Sequence, residues 1–183
     1  MIETEQSILI DAPIAEVWEY VRDIRGWANL FPGCRECTVI DERDSRWTLK
    51  VGAGGLVRTV NVLVHVDQWD GPERVNFSYA LAGDPVQGSG CYIATQKTAH
   101  QTEVTLKVRV AGSGPMAPMW EAMSRPLLPQ LAKLFAVQLK AEIEKAATAG
   151  LEAPVMTSPR RSMLASILAG LRNVISMLRS SAP

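Results

Sequence analysis

Reactive and metal-binding side chains are scarce in this chain: 183 residues hold two histidines and three cysteines. A closed zinc site needs four ligands at tight spacing, and a nucleophilic triad needs a histidine between an acid and a hydroxyl or thiol. His65, within VNVLVHVDQW, and His100, in the turn TAHQ, have no such context. An odd number of cysteines makes no closed disulfide framework and suits a reducing compartment. No uninterrupted apolar run reaches about 18 residues, so no helix is expected to span a membrane. The N-terminus, MIETEQSILI, has no cationic region before its apolar run, so no signal peptide is expected and the cytoplasm is the expected location. Basic excess is missing from the body of the chain. Residues 153–183 hold four arginines and no carboxylate, which leaves residues 1–152 with 15 basic against all 19 acidic side chains. A folded part of net charge −4 is not the footprint of a nucleic-acid protein.

What is present is a change of hydrophobic period along the chain. Residues 5–10 form a short apolar strand, and Asp11-Ala12-Pro13 opens a helical stretch with Val17, Val21 and Ile24 at helical spacing. Pro32-Gly33 ends it, giving one or two short helices. From residue 35 to 110 the period is two, in six runs separated by DERD, DGPE, AGDP, TAHQ and a glycine-rich stretch, GAGG. The expected inner face carries Leu49, Val51, Val60, Val62, Val64, Phe77, Tyr79, Ile93, Leu106 and Val108. The expected wet face carries Lys50, Arg58, Asn76, Lys107 and Arg109. After Gly112 the period returns to 3.6: Met116, Met119, Trp120 and Met123 make a short amphipathic turn. Pro126 then starts a long helix with Leu128, Leu131, Phe135, Leu139 and Ile143 on one stripe.

These elements predict an α+β domain over residues 1–148, a curved antiparallel sheet around a long helix, the helix-grip arrangement. Small residues, Gly and Pro predict a linker over 149–159. A bent sheet gripping one helix leaves apolar space between them, where small hydrophobic ligands bind. The candidate cavity residues are Trp18, Trp27, Phe31, Val62, Val64, Phe77, Tyr79, Ile93, Leu106, Met119, Trp120, Met123, Leu131 and Phe135. Plain core packing is the competing reading for each. No catalytic or metal-ligating residue is assigned. Cys34-x-x-Cys37 has redox spacing but lacks partner ligands, and reads as structural, as does Cys91.

Residues 160–181 predict an amphipathic helical tail. At about 100° per residue, Leu164, Ile167, Leu168, Leu171, Val174, Ile175 and Leu178 share an arc of about 120°, with Arg161, Arg172 and Arg179 along its edge. Border arginines can lay their stems on apolar surface and raise their heads to phosphates, the geometry of a helix in a bilayer interface. Spanning is disfavoured because Arg172, near mid-segment, costs about 2.5–3.5 kcal/mol in a bilayer centre. Packing on a partner protein, or on its own domain, competes.

The stretches DAPIAEVWEYV, LFPGCRECTVI, KVGAGGLVRTVNVLV, GDPVQGSGCYIAT and LLPQLAKLFAVQLKAEIEK, in that order over residues 5–145, resemble the G-subunit family of carbon monoxide dehydrogenase, within the START-like polyketide cyclase superfamily. Gly33, Cys34, Gly88 and Gly90 match its pattern and read as structural. The resemblance implies association with a cytosolic molybdenum hydroxylase at the inner face of the cytoplasmic membrane, and no agreed catalytic residues. The sequence therefore predicts a non-enzymatic accessory protein binding a quinone or lipid. A polyketide cyclase or aromatase, and an adaptor whose tail binds a partner protein, stay open as alternatives.

Overall fold

The computed structural model describes residues 1–53 and 56–152; the tail expected to meet a membrane, with Arg161, Arg172 and Arg179, lies outside them. Alternating residues at the N-terminus give β1 (Ile2–Ile10), longer than its apolar run suggests because Glu3 and Glu5 pair with Arg109 and Lys107 across the neighbouring strand. Two short helices follow, α1 (Ile14–Val21) and α2 (Ile24–Leu30), the second capped by Asp23 accepting from the Arg25 amide. Then come β2 (Cys34–Val39), β3 (Asp44–Ala53), β4 (Leu56–Asp70), β5 (Arg74–Leu81), β6 (Val86–Thr98), β7 (Gln101–Gly112) and α3 (Ala117–Glu152). The seven strands form one antiparallel sheet in the order β1-β7-β6-β5-β4-β3-β2, so the first and second strands are its two edges and the sheet bends around α3.

Valines at every second residue of β4 (Val60, Val62, Val64, Val66) are buried, while His65 and Leu63 between them face outward, as alternation requires. On α3 the stripe Ala132, Phe135, Ala136, Leu139 and Ile143 is buried against the sheet end that carries Ile10, Val104 and Tyr92. Lys140 clips that half of the helix to β1, its Nζ donating to the Leu9 carbonyl at 2.6 Å, and Glu144 accepts from the Asp11 amide at 2.8 Å. In the N-terminal half of α3, Glu121 accepts from the terminal amine of Met1 at the start of β1, and Met119 and Met123 are left about 40% exposed.

Several sequence readings change. Pro126 does not start the long helix: α3 begins at Ala117 and runs through both Pro126 and Pro129. A proline inside a helix loses one amide donor and crowds the carbonyl four residues back. Both prolines, and the carbonyl-bearing residues Ala122 and Arg125, lie on the exposed side, where water can serve the freed acceptors. The helix continues to Glu152, into the stretch expected to begin a linker. Ile93 is not on the inner face; Tyr92 and Ala94 are. The inward phase of β6 begins Val86, Gly88, Gly90, and two glycines give no hydropathy signal to set the phase. Arg58 shares the phase of Val60 and Val62 and turns inward, contrary to its assignment to the wet face.

Those two glycines shape the interior. In the β5–β6 register Phe77 lies opposite Gly90 and Tyr79 opposite Gly88. A Cβ on Gly90 would stand 2.1 Å from the Phe77 ring, and one on Gly88 2.3 Å from the Tyr79 ring. The rings therefore lie flat across a neighbouring strand that has no side chain there, and the space above them stays open. Gly90→Ala is expected to cost about 1–3 kcal/mol in urea denaturation by lifting the Phe77 ring off the sheet. An unchanged midpoint would show that the ring has another place to go.

Candidate functional site

The space left between the sheet and the N-terminal half of α3 is a cavity of about 570 Å³, within the range of small-molecule sites. Val60, Val62, Val64 and Val66 of β4 form its wall, Trp27 and Phe31 of the α2 region cover one side, and Met119, Met123, Leu127 and Leu131 of α3 roof it. Trp27 packs edge-on against Phe77 and Tyr92 and tilted on Phe135, with centroids 5.6–6.0 Å apart. This aromatic group closes the cavity at the clipped end of α3. The other end opens beside the exposed methionines.

Of the residues assigned to the cavity from sequence, Trp27, Phe31, Val62, Val64, Phe77, Tyr79, Leu106, Met119, Trp120, Met123, Leu131 and Phe135 line it. Trp18 and Ile93 do not. On α1, Val17 and Val21 take the inward face, and Trp18, about 100° round the helix, lies against Trp69 (5.9 Å, edge-on) and the Gly71 backbone. Ile93 faces the opposite side of the sheet. Sequence reasoning missed Trp47 and Trp69, which also line the cavity. For Trp47 the phase of β3 was the available signal, since it falls in step with Leu49. Trp69 is out of phase with Val60–Val66, and only a register shift between Val66 and Gln68 carries it back to the inner face.

The cavity wall is apolar with few exceptions. The Tyr79 hydroxyl donates to the Arg109 carbonyl at 2.8 Å, and burial pushes its pKa up, so it stays a neutral phenol. Trp27 Nε1 and the Tyr92 hydroxyl are buried polar atoms with no hydrogen-bond partner among the described residues. One charged side chain among the described residues lines the cavity, and that is Arg58. Its Nη2 donates to Asp84 Oδ1 at 3.1 Å and lies 2.9 Å from Oδ2 in an ion pair, and its guanidinium lies 5.7 Å over the Trp120 ring. Three elements meet in that contact: β4, the β5–β6 turn and α3.

The other titratable candidates stand apart from the cavity. His65 Nδ1 meets Asp44 Oδ1 at 2.8 Å on the outer face, both half-exposed; the nearby Ser78 hydroxyl donates to Asp67, not to the imidazole. Cys34 and Cys37 are free thiols, their pKa values pushed up chiefly by burial, which opposes the thiolate a redox pair needs. Among the described residues no group of three or more His, Cys, Asp or Glu could hold a metal ion, and no helix is long and apolar enough to cross a membrane.

This geometry can hold a hydrophobic molecule. Comparison with known proteins agrees on the architecture. The structure is similar to a conserved protein from Geobacillus kaustophilus (TM-score 0.69, 20% identity, covering 79% of this chain and 97% of that one). It is also similar to a START superfamily protein from Mycobacterium smegmatis (TM-score 0.61, 11% identity, covering 79% and 98%). The Zhui aromatase/cyclase from Streptomyces is a third (TM-score 0.57, 19% identity, covering 83% and 96%). A search of curated protein sequences returns no match. The family profile described as polyketide cyclase / dehydrase and lipid transport matches residues 1–144. The chain, a curved sheet gripping one helix over an apolar cavity, belongs to that family.

Proposed function

We propose that the protein carries a hydrophobic small molecule, a quinone or lipid, and links a cytosolic molybdenum-hydroxylase-type oxidoreductase to the membrane without itself catalysing a reaction. The observation that carries the first part is the cavity: about 570 Å³, walled by Val, Leu, Met and aromatic side chains, and open beside exposed methionines that can adapt to a ligand's shape. The oxidoreductase and the membrane rest on the resemblance to the G-subunit family of carbon monoxide dehydrogenase and on the residue pattern of 160–181. A lipophilic electron acceptor resides in the bilayer, out of reach of a cytosolic enzyme. A tethered cup that takes up such a molecule bridges that gap.

A second reading is favoured by one specific observation. The Arg58–Asp84 pair puts a hydrogen-bond donor on an otherwise apolar wall, where it could polarise a substrate carbonyl as an aromatase or cyclase requires. A poly-β-keto thioester incubated with the protein would then gain aromatic absorbance; the carrier reading expects none above the rate without protein.

Mass spectrometry of an organic extract of protein purified without detergent is expected to return an isoprenoid quinone or a lipid near one per chain. A repeatedly empty extract from the native host would overturn the carrier. For the membrane role, full-length protein should float with anionic liposomes. Replacing Arg161, Arg172 and Arg179 by Ser should weaken that binding by about 1 kcal/mol for each arginine near the surface. Equal flotation of the two proteins would sink the tail as the anchor.

A further inference from the structure

The one charged side chain that lines the cavity among the described residues, Arg58, and its partner Asp84 bear on which molecules the cavity holds, an inference that rests on the carrier reading above. Arg58 lies at the open end, beside Val57, Gly52 and Trp120, with its side chain a little over half exposed. Asp84 is its counter-charge and is far less exposed, at 13%. Asp84 engages only Nη2, so the guanidinium keeps N–H donors with no partner among the described residues. The ring of Trp120 beneath holds the guanidinium plane in place. Some 15 residues further along α3, about 22 Å at 1.5 Å per residue, the closed end presents another donor, Trp27 Nε1, and no cation among the described residues.

We propose that this pair is a head-group subsite, and that it selects an uncharged ligand bearing an acceptor oxygen, of the ketone or quinone-carbonyl class, over an anionic amphiphile such as a fatty acid. A carbonyl at the mouth accepts a charge-assisted hydrogen bond from the spare edge of Arg58 while Asp84 keeps its own. The apolar body then fills the valine and methionine wall. A carboxylate in the same place meets a cation already neutralised by a carboxylate some ångströms away. It gains little Coulomb energy against the cost of leaving water for an apolar cavity. Removing Asp84's charge should therefore invert the preference, because the arginine would become an uncompensated cation.

The test measures displacement of the neutral dye Nile red from the full chain by methyl undecyl ketone, tridecane and dodecanoate. Arg58→Met is expected to weaken the ketone about tenfold while tridecane changes by less than about twofold. Asp84→Asn is expected to tighten dodecanoate about tenfold and to leave the ketone nearly unchanged. Equal losses for ketone and tridecane in Arg58→Met would reduce the arginine to packing and overturn the proposal. So would an Asp84→Asn protein whose dodecanoate affinity does not move. Failure of all three probes to displace the dye from wild type would instead overturn the carrier reading itself, and the head-group subsite with it.

Discussion

Everything in this molecule depends on α3 packing tightly on the sheet along its C-terminal half and loosely along its N-terminal half. Phe135, Ala136, Leu139 and Ile143 are driven against Ile10, Tyr92 and Val104 by the burial of apolar surface, each large side chain worth about 1.5–3 kcal/mol. Lys140 and Glu144 fasten that half to β1 with hydrogen bonds to backbone groups. Toward its start the helix has no comparable stripe of fully buried side chains. A sheet that curves as strongly as this one cannot be covered along its whole length by one helix, and the uncovered valines of β4 become the wall of a cavity.

The cavity stays open because bulky groups are kept off its floor. Phe77 and Tyr79 lie over Gly90 and Gly88, so two aromatic side chains that would fill the space in an ordinary core are laid flat instead. A cluster of aromatics around Trp27 seals the end where the helix is clipped. At the other end the seal is soft: methionines, and an arginine bridging strand, turn and helix. Stability and ligand space are thus separated along one helix, with tight packing at its C-terminal half and adaptable contacts at its N-terminal half.

Electrostatics follow the same division. The acid–base pairs Glu3–Arg109, Glu5–Lys107 and Lys97–Glu103 lie on the exposed side, where each contributes at most about 1 kcal/mol. His65 and Asp44 pair on that side too. The described interior is left with neutral groups and one compensated ion pair at its mouth, an arrangement suited to molecules of low polarity. An aromatase/cyclase is among the proteins of similar architecture.

Alternation at period two, return to period 3.6 and turn residues at hairpin distances determined the strand number and the closing helix from the sequence alone, since these periods follow from backbone geometry. Most of the cavity residues were legible for the same reason: a residue in phase with Val60, Val62 and Val64 faces inward. Three matters belonged to the tertiary structure. The phase of β6 was hidden by glycines, whose lack of a side chain is also why they are there, so Ile93 was misplaced and Tyr92 passed over. Pro126 marks a helix start by local chemistry, yet the helix runs through it, because the proline and the carbonyl it crowds lie on the exposed side. Arg58 reads as a wet-face residue until a turn and a helix remote in sequence bring Asp84 and Trp120 to its guanidinium. A charge can face inward only where the fold supplies its partner, and no local pattern records that.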